Sequence, residues 1–536
     1  MISRPGCPVL AAFGLSLLLA ATPALPQSGP LSANDWLRSG GAAPANSSAW
    51  RPGDPVPPDA ARLRKPVRRP ATPEAVPDIA DSAAAIPVGV RRLGAADPDG
   101  AGIISARQAG LPERFWDGTE MDTALGLIRA DPALPAAAQV ARRIIEAQLP
   151  PPARSNAAQT GTFFAARVDQ LIAQGALPSA RDLLQGAGQD NPETFRRLFD
   201  LSLLLGGEDR VCARMERAPG ISDDPAARIF CLAQSGDWPA AATLFLGASR
   251  LGMVAPETEV LLRHYLDDAS VDGAETLPLP DPMTPLSFRL HEAIGQPLPT
   301  GNLGLSYAWA DLDDRSGWKA QLEAGERLAR AGVLPASTLH RLYAAQKPAA
   351  SGGVWERAAA VQALEAALPT GDASRIGAAL VTAFQRMEAA GLRDAFAAMT
   401  ATRLDPALLG GEAARLALWL RLWNGQTEAT AAPQNELDAA LLALATGGQP
   451  APLSPALGAF APVFAGDLPD APDPNGDSAL APALYGALAD ADAGLQGDVT
   501  RAARGIQMLR ELGLLADARR IATQIALDPL LRGAAQ

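Results

Sequence analysis

Apolar residues recur at helical spacing through most of the chain, and the C-terminal end shows the pattern most clearly. Between residues 500 and 512 the apolar side chains fall on one helical face, and a second apolar face runs from Ala518 to Ala526. Gly513 stands between them, at the position after a helix where a left-handed backbone is easiest for a residue without Cβ. The pattern predicts two helices joined as a hairpin.

The same turn recurs along the chain. Its glycines are Gly175, Gly236, Gly332, Gly391 and Gly513, separated by 61, 96, 59 and 122 residues. These spacings lie near multiples of roughly 30, as expected for helix-pair repeats of about 34 residues. Pro178, Pro239 and Pro335 follow three of the glycines, where the next helix begins and a missing N–H costs nothing. The sequence therefore predicts an all-α fold, a tetratricopeptide-like α-solenoid of degenerate helical hairpins.

Strand signals are weak, since aromatic residues make up only 5% of the chain. Two stretches rich in Pro and Asp, 275–285 and 447–476, interrupt the helices and predict extended loops. The pattern divides the chain into a signal peptide (1–24), a disordered Pro- and Ala-rich basic linker (25–88), an N-terminal helical segment (89–155), a helical-repeat domain (156–446), a Pro- and Asp-rich loop (447–476) and C-terminal helical hairpins (477–536).

The N-terminus predicts export. Arg4 precedes an apolar stretch from Val9 to Ala21, which suits a signal peptide and is too short to span a bilayer. Small residues at Thr22 and Ala24 place cleavage near Ala24. No later segment has the roughly 20 apolar residues of a transmembrane helix, so we expect a periplasmic protein with no transmembrane segment after signal cleavage.

The linker carries a basic cluster among its prolines, and proline blocks regular hydrogen-bonded structure. The cluster consists of Arg62, Arg64, Lys65, Arg68 and Arg69. We interpret it as a solvated linker, with contact to anionic lipid or the cell wall as the alternative. The whole chain has a net charge of −12, which argues against a nucleic-acid partner.

Two cysteines, Cys212 and Cys231, remain after signal cleavage. An even pair in an oxidising compartment predicts a disulfide. Two buried thiols are the alternative, because sequence does not give the geometry of a bridge.

The sequence predicts no catalytic residue, no cofactor site and no metal site. His264, His291 and His340 are scattered, and Gly295 stands where a zincin helix after His291 requires its second His. Asp97, Asp99 and Gly100 begin like a calcium-binding loop, but the closing Glu is missing, so we predict a turn.

Ser351 does not fit a nucleophile elbow and is predicted to cap the next helix. Trp238, Trp318, Trp355, Trp419 and Trp423 are candidates for a ligand groove, yet helical spacing favours packing for each.

Three segments carry a resemblance: Thr284–Gly295 (TPLSFRLHEAIG), Gly317–Gln321 (GWKAQ) and Ala349–Trp355 (AASGGVW). They are similar to uncharacterised exported helical-repeat proteins of GC-rich Gram-negative bacteria. The resemblance covers most of the chain after residue 85 and implies a helical fold. It supplies no catalytic residue.

The functional expectation is a periplasmic, non-enzymatic scaffold or adaptor that binds an unknown envelope protein or peptide through a solenoid surface. One alternative is a protein that binds cell-wall glycan and is related to the solenoid part of lytic transglycosylases. The catalytic Glu-Ser segment of those enzymes is missing. An enzyme with an unrecognised site is the other alternative.

Overall fold

The structure, a computed structural model, describes residues 97–188, 191–267, 277–428, 433–466 and 479–535. The predicted signal peptide and linker lie outside these residues, as do parts of the two predicted Pro- and Asp-rich loops. The described residues form an all-α fold in which consecutive helices pack as pairs, as the helical periodicity predicted. They also contain one short parallel strand pair, which the sequence pattern did not predict.

The N-terminal elements surround this strand pair. They are β1 (Ile104–Ser105), α1 (Ala106–Ala109), α2 (Met121–Leu127), α3 (Pro135–Glu146), β2 (Ala147–Gln148), α4 (Thr162–Ala173) and α5 (Leu177–Gly186). The next helices are α6 (Pro192–Leu205), α7 (Glu208–Arg217), α8 (Pro225–Gln234), α9 (Trp238–Arg250), α10 (Pro256–Leu266) and α11 (Pro285–Ala293).

The second half of the chain continues with helix pairs. Its helices are α12 (Trp318–Arg330), α13 (Ala336–Ala344), α14 (Gly353–Ala367), α15 (Ala373–Ala389), α16 (Arg393–Thr400), α17 (Gly411–Trp423), α18 (Glu436–Thr446), α19 (Pro455–Phe460), α20 (Leu480–Asp492), α21 (Val499–Glu511) and α22 (Leu515–Ala534). The predicted helix cap at Ser351 is wrong, because Gly352 is the residue before α14 and no side chain caps that helix.

All five predicted glycine turns are present. Each glycine has a positive φ, between 63° at Gly332 and 88° at Gly236. The residue after each glycine donates its amide hydrogen to the carbonyl oxygen five positions earlier, as Leu514 does to Leu509 at 2.9 Å. This bond pairs a carbonyl that a helix end would otherwise leave unsatisfied. The turn chemistry was therefore predictable from sequence.

An N-terminal helix, α3, contacts the C-terminal helices of the described chain. The amides of Ala133 and Leu134, just before α3, donate to the Asp492 carboxylate at 2.7 and 3.0 Å. The Ala136 amide donates to Oε1 of buried Gln524 in α22 at 3.0 Å. Repeats of a linear array contact only their neighbours. Here the chain instead closes on itself, and α22 packs against α3, α17, α18 and α21.

A buried arginine fixes the strand pair to α4. The Arg167 guanidinium donates to the carbonyl oxygens of Ile145, Asp99, Ala101 and Ala147 at 2.6 to 3.2 Å. Burial lowers its pKa to about 10, while the nearby Asp99 carboxylate opposes that shift. The guanidinium stays protonated at neutral pH and satisfies four backbone acceptors at once.

Asp99 belongs to the predicted turn, which forms one turn of 3-10 helix at Pro98–Gly100. Its buried carboxylate accepts hydrogen bonds from the amides of Gly161 and Phe164 at 2.9 and 2.8 Å, at the start of α4. An ion pair to Arg154 at 3.0 Å adds to these bonds. The carboxylate therefore caps a helix, which satisfies amides that no intrahelical bond reaches.

Candidate functional site

A groove opens where α6, α8, α10 and α11 meet, with a cavity of about 230 Å³. Buried Phe195, Phe199 and Leu286 contribute apolar wall. Met253 also lines the cavity and is 56% exposed, and Leu251, two residues earlier, is 75% exposed. The groove thus joins an apolar interior to apolar side chains that stand in solvent.

The turn after α9 presents these two side chains. Gly252 has a φ of 63°, and the Met253 amide donates to the Ala248 carbonyl oxygen at 2.9 Å. This is the same helix-ending bond as in the five predicted turns, so the backbone is fixed by hydrogen bonding. Leu251 and Met253 flank the glycine, and both are large apolar side chains that stay exposed to solvent.

Two carboxylates and one guanidinium give the groove its charge. Asp224 caps α8 by accepting the Ala226 amide at 2.8 Å. Asp200 is an ion-pair partner of Arg196 at 3.9 Å, and its side chain is 31% exposed. Burial raises the pKa of Asp200 to about 6; the Arg196 charge opposes this shift and the Asp224 charge adds to it. The groove therefore becomes more negative as the pH rises through about 6.

The predicted disulfide is present between Cys212 of α7 and Cys231 of α8, with Cα atoms 5.0 Å apart. Both cysteines line a second cavity of about 390 Å³, together with Met215 and Leu232. Arg228, Asp209 and Glu216 supply its charged groups. The bridge thus fixes α7 to α8 and also forms part of the cavity wall.

Two of the three histidines, His340 and His291, have different surroundings. His340 Nε2 lies 3.1 Å from the Glu365 carboxylate. His291 is fully buried, and neither ring nitrogen reaches a hydrogen-bond partner among the described residues. Burial lowers the pKa of His291 and so favours the neutral ring. In the described part of the chain no three His, Cys, Asp or Glu residues form a group able to hold a metal ion.

The five tryptophans considered from sequence line neither of these two cavities. Trp419 and Trp423 are buried and donate their indole N–H to Asp438 and Asp394 at 2.9 and 3.2 Å. The rings of Trp318 and Trp355 pack 5.0 Å apart between centroids, and Trp238 packs on Tyr265. These five side chains pack within the protein, as their helical spacing predicted.

Sequence reasoning missed the groove. Leu251, Gly252 and Met253 gave no distinguishing signal, since Leu512 and Leu514 flank Gly513 in the same way and an apolar residue after a helix-ending glycine is common. Asp200 gave only a local signal, its helix neighbour Arg196, because Asp224 lies on another element and α11 completes the wall much later in the chain.

A scan against protein-family models, a search of curated proteins and a search of solved structures each found no match to this chain. None of the helices in the described ranges combines the length and apolar character needed to cross a membrane. The disulfide is consistent with an oxidising, extracytoplasmic location.

Proposed function

We propose that this protein is an exported, non-enzymatic helical scaffold that binds a segment of a partner protein in the groove between α6, α8, α10 and α11. The observation that carries the proposal is the pair of exposed apolar side chains, Leu251 and Met253, of which Met253 lines a cavity with a partly apolar wall. Clustered exposed apolar surface next to a concavity is typical of a protein-binding site.

The residues that line the groove indicate what kind of segment would bind there. Phe195, Phe199 and Leu286 suit an apolar side chain, because burying apolar area supplies most of the free energy of association. Asp200 and Asp224 suit a flanking Arg or Lys, because opposite charges across an interface favour encounter and fix register. The partner segment is therefore apolar with an adjacent basic residue.

Site-specific photo-crosslinking in the producing cell tests this proposal. A photoreactive phenylalanine analogue at position 253 should capture a partner, which mass spectrometry of the adduct identifies. The matched control carries the same analogue at position 508, since Met508 is also an exposed apolar residue but lies on α21. The adduct should form at position 253 and be absent at position 508.

Binding of the identified partner, once purified, gives the second measurement. Met253→Ser should weaken binding about tenfold, as loss of an interface anchor does, and Met508→Ser should leave it unchanged. Identical adducts from both positions, or full binding by Met253→Ser, would overturn the proposal. Co-sedimentation with purified cell wall that Met253→Ser abolishes would assign the groove to glycan instead.

A further inference from the structure

The disulfide has a property that a purely structural bridge does not require. Cys212 and Cys231 both line the cavity between α7 and α8, and each residue keeps 6% of its surface exposed. The cavity volume of about 390 Å³ leaves room for an incoming side chain. A thiol can therefore approach the bridge while the helices stay folded, and access is one of the factors that set exchange rates.

Arg228 lines this cavity together with two carboxylates, Asp209 and Glu216, and the positive charge of Arg228 favours a thiolate. Arg228 is half-buried, and its guanidinium donates to the carbonyl oxygens of Pro219 and Ser222. Neither acceptor carries a charge, so they do not cancel the positive charge of the arginine. Asp209 and Glu216 also line the cavity, but both are exposed and more strongly screened by solvent. A nearby cation stabilises the thiolate form, which is both the attacking and the leaving group of exchange.

We propose that Cys212–Cys231 is a thiol–disulfide exchange site for an exported dithiol protein, reached through the cavity between α7 and α8. A thiolate of the partner attacks one sulfur, the S–S bond breaks, and the other cysteine leaves as a thiolate. The partner's second thiol then attacks the mixed disulfide and leaves both cysteines as thiols after protonation. The partner ends as an internal disulfide, having given up two electrons and two protons.

Opening the bridge would release α7. The buried side chains of this helix are Val211, Cys212 and Met215, and most of the others are charged. A helix with so small an apolar face gains little from packing. The exchange site therefore controls how firmly α7 is fixed to α8.

Native-state reduction kinetics test the proposal on the full-length protein. Dithiothreitol and thioredoxin serve as the small and the protein dithiol, and alkylation followed by peptide mass spectrometry counts free thiols at Cys212 and Cys231. With both probes, the rate should rise in proportion to the dithiol concentration and exceed the unfolding rate measured in the same buffer. A rate equal to unfolding and independent of dithiol would overturn the proposal.

A variant that fills the cavity supplies a second measurement. Ala213→Trp, at an exposed cavity-lining residue of α7, should slow reduction about tenfold by blocking access. The control is Ala378→Trp, at an exposed alanine of α15 outside the lining, which should leave the rate unchanged. Reduction by dithiothreitol but not by thioredoxin would also overturn the proposal, because it would show that a protein thiol cannot enter.

Discussion

Two regions of the molecule differ in how much apolar surface they expose. The closing region comprises residues 97–173 and 480–534, and the groove region comprises residues 192–293. In the closing region, buried Arg167, Asp99 and Gln524 each satisfy backbone groups of distant elements. Buried polar atoms without a partner among the described residues occur in both regions, such as the Tyr485 hydroxyl in the closing region and the His291 ring nitrogens in the groove region.

Exposed apolar surface follows the same division. Of the eight large apolar side chains that are exposed in the described residues, five belong to the groove region: Leu246, Leu251, Met253, Val260 and Leu279. Among the described residues of the closing region, Met508 is the one exposed large apolar side chain. Stability requires satisfied polar groups and buried apolar area, whereas binding requires surface left over for a partner. This difference supports the proposal that the groove region binds a partner.

The largest expected effect lies in the closing region. Arg167→Met should lower the free energy of unfolding by about 4 kcal/mol, because four buried carbonyl oxygens lose a charged donor. Denaturant unfolding followed by circular dichroism measures the loss. Arg375→Met, at an exposed arginine near the start of α15, is the control and should change it by less than about 0.5 kcal/mol. Equal effects of the two substitutions would contradict this role of Arg167.

The disulfide gives the next largest effect, inside the groove region. Cys212→Ala combined with Cys231→Ala should cost about 3 kcal/mol, as expected for a bridge that closes a loop of this size; the sequence separation is 19. Hydrogen exchange should show the loss of protection mainly in α7 and α8. Protection lost evenly across the closing region would show that the two regions are not energetically distinct.

His291 predicts a smaller, pH-dependent effect. Burial lowers its pKa, so between that value and the ordinary pKa of about 6.5 the unfolded chain binds the proton and the folded chain does not. This contribution to stability is present above the ordinary pKa and is lost as the pH falls from there through the lowered pKa of the folded chain.

The variant His291→Leu should lack this component of the pH dependence. Asp200 acts with the opposite sign, because its raised pKa lets the folded chain take up a proton first as the pH falls. The unchanged protein and the His291→Leu variant both retain Asp200. The difference between their pH–stability curves therefore gives the contribution of His291 alone. Parallel curves would exclude His291 as the source.

Met253→Ser should have the smallest effect on stability, below about 0.5 kcal/mol, because the side chain is largely exposed. The same substitution should abolish most partner binding, so the two measurements separate folding from function. A loss of stability above about 2 kcal/mol would mean that Met253 belongs to the core and not to a binding surface.

The sequence predicted what is local in this fold. A glycine after an apolar helical face predicted each hairpin turn, because the turn depends on the backbone conformation of one residue and one nearby hydrogen bond. The disulfide followed from the parity of its two cysteines. Ser351 shows the limit even here, since the helix begins two residues later and no side chain caps it.

Contacts between distant residues were not predictable from the pattern. Ala136 binds Gln524 across 388 residues, and a glutamine in a helix gives no sign of such a partner. The groove also combines four helices, and its charged wall depends on Asp200 and Arg196 meeting Asp224 from another element. Periodicity states which face of a helix is apolar, but not which other element covers that face.

The bonds that close the chain also set an order of events during biosynthesis. Asp492 accepts a hydrogen bond from the amide of Ala133 and is synthesised 359 residues after it. Gln524 accepts one from the amide of Ala136 and is synthesised 388 residues after it. Ribosomes make the N-terminal part first, so these amides stay without their final partners until Asp492 and Gln524 have been made. Completion of this part of the fold is therefore postponed until α22 has been synthesised.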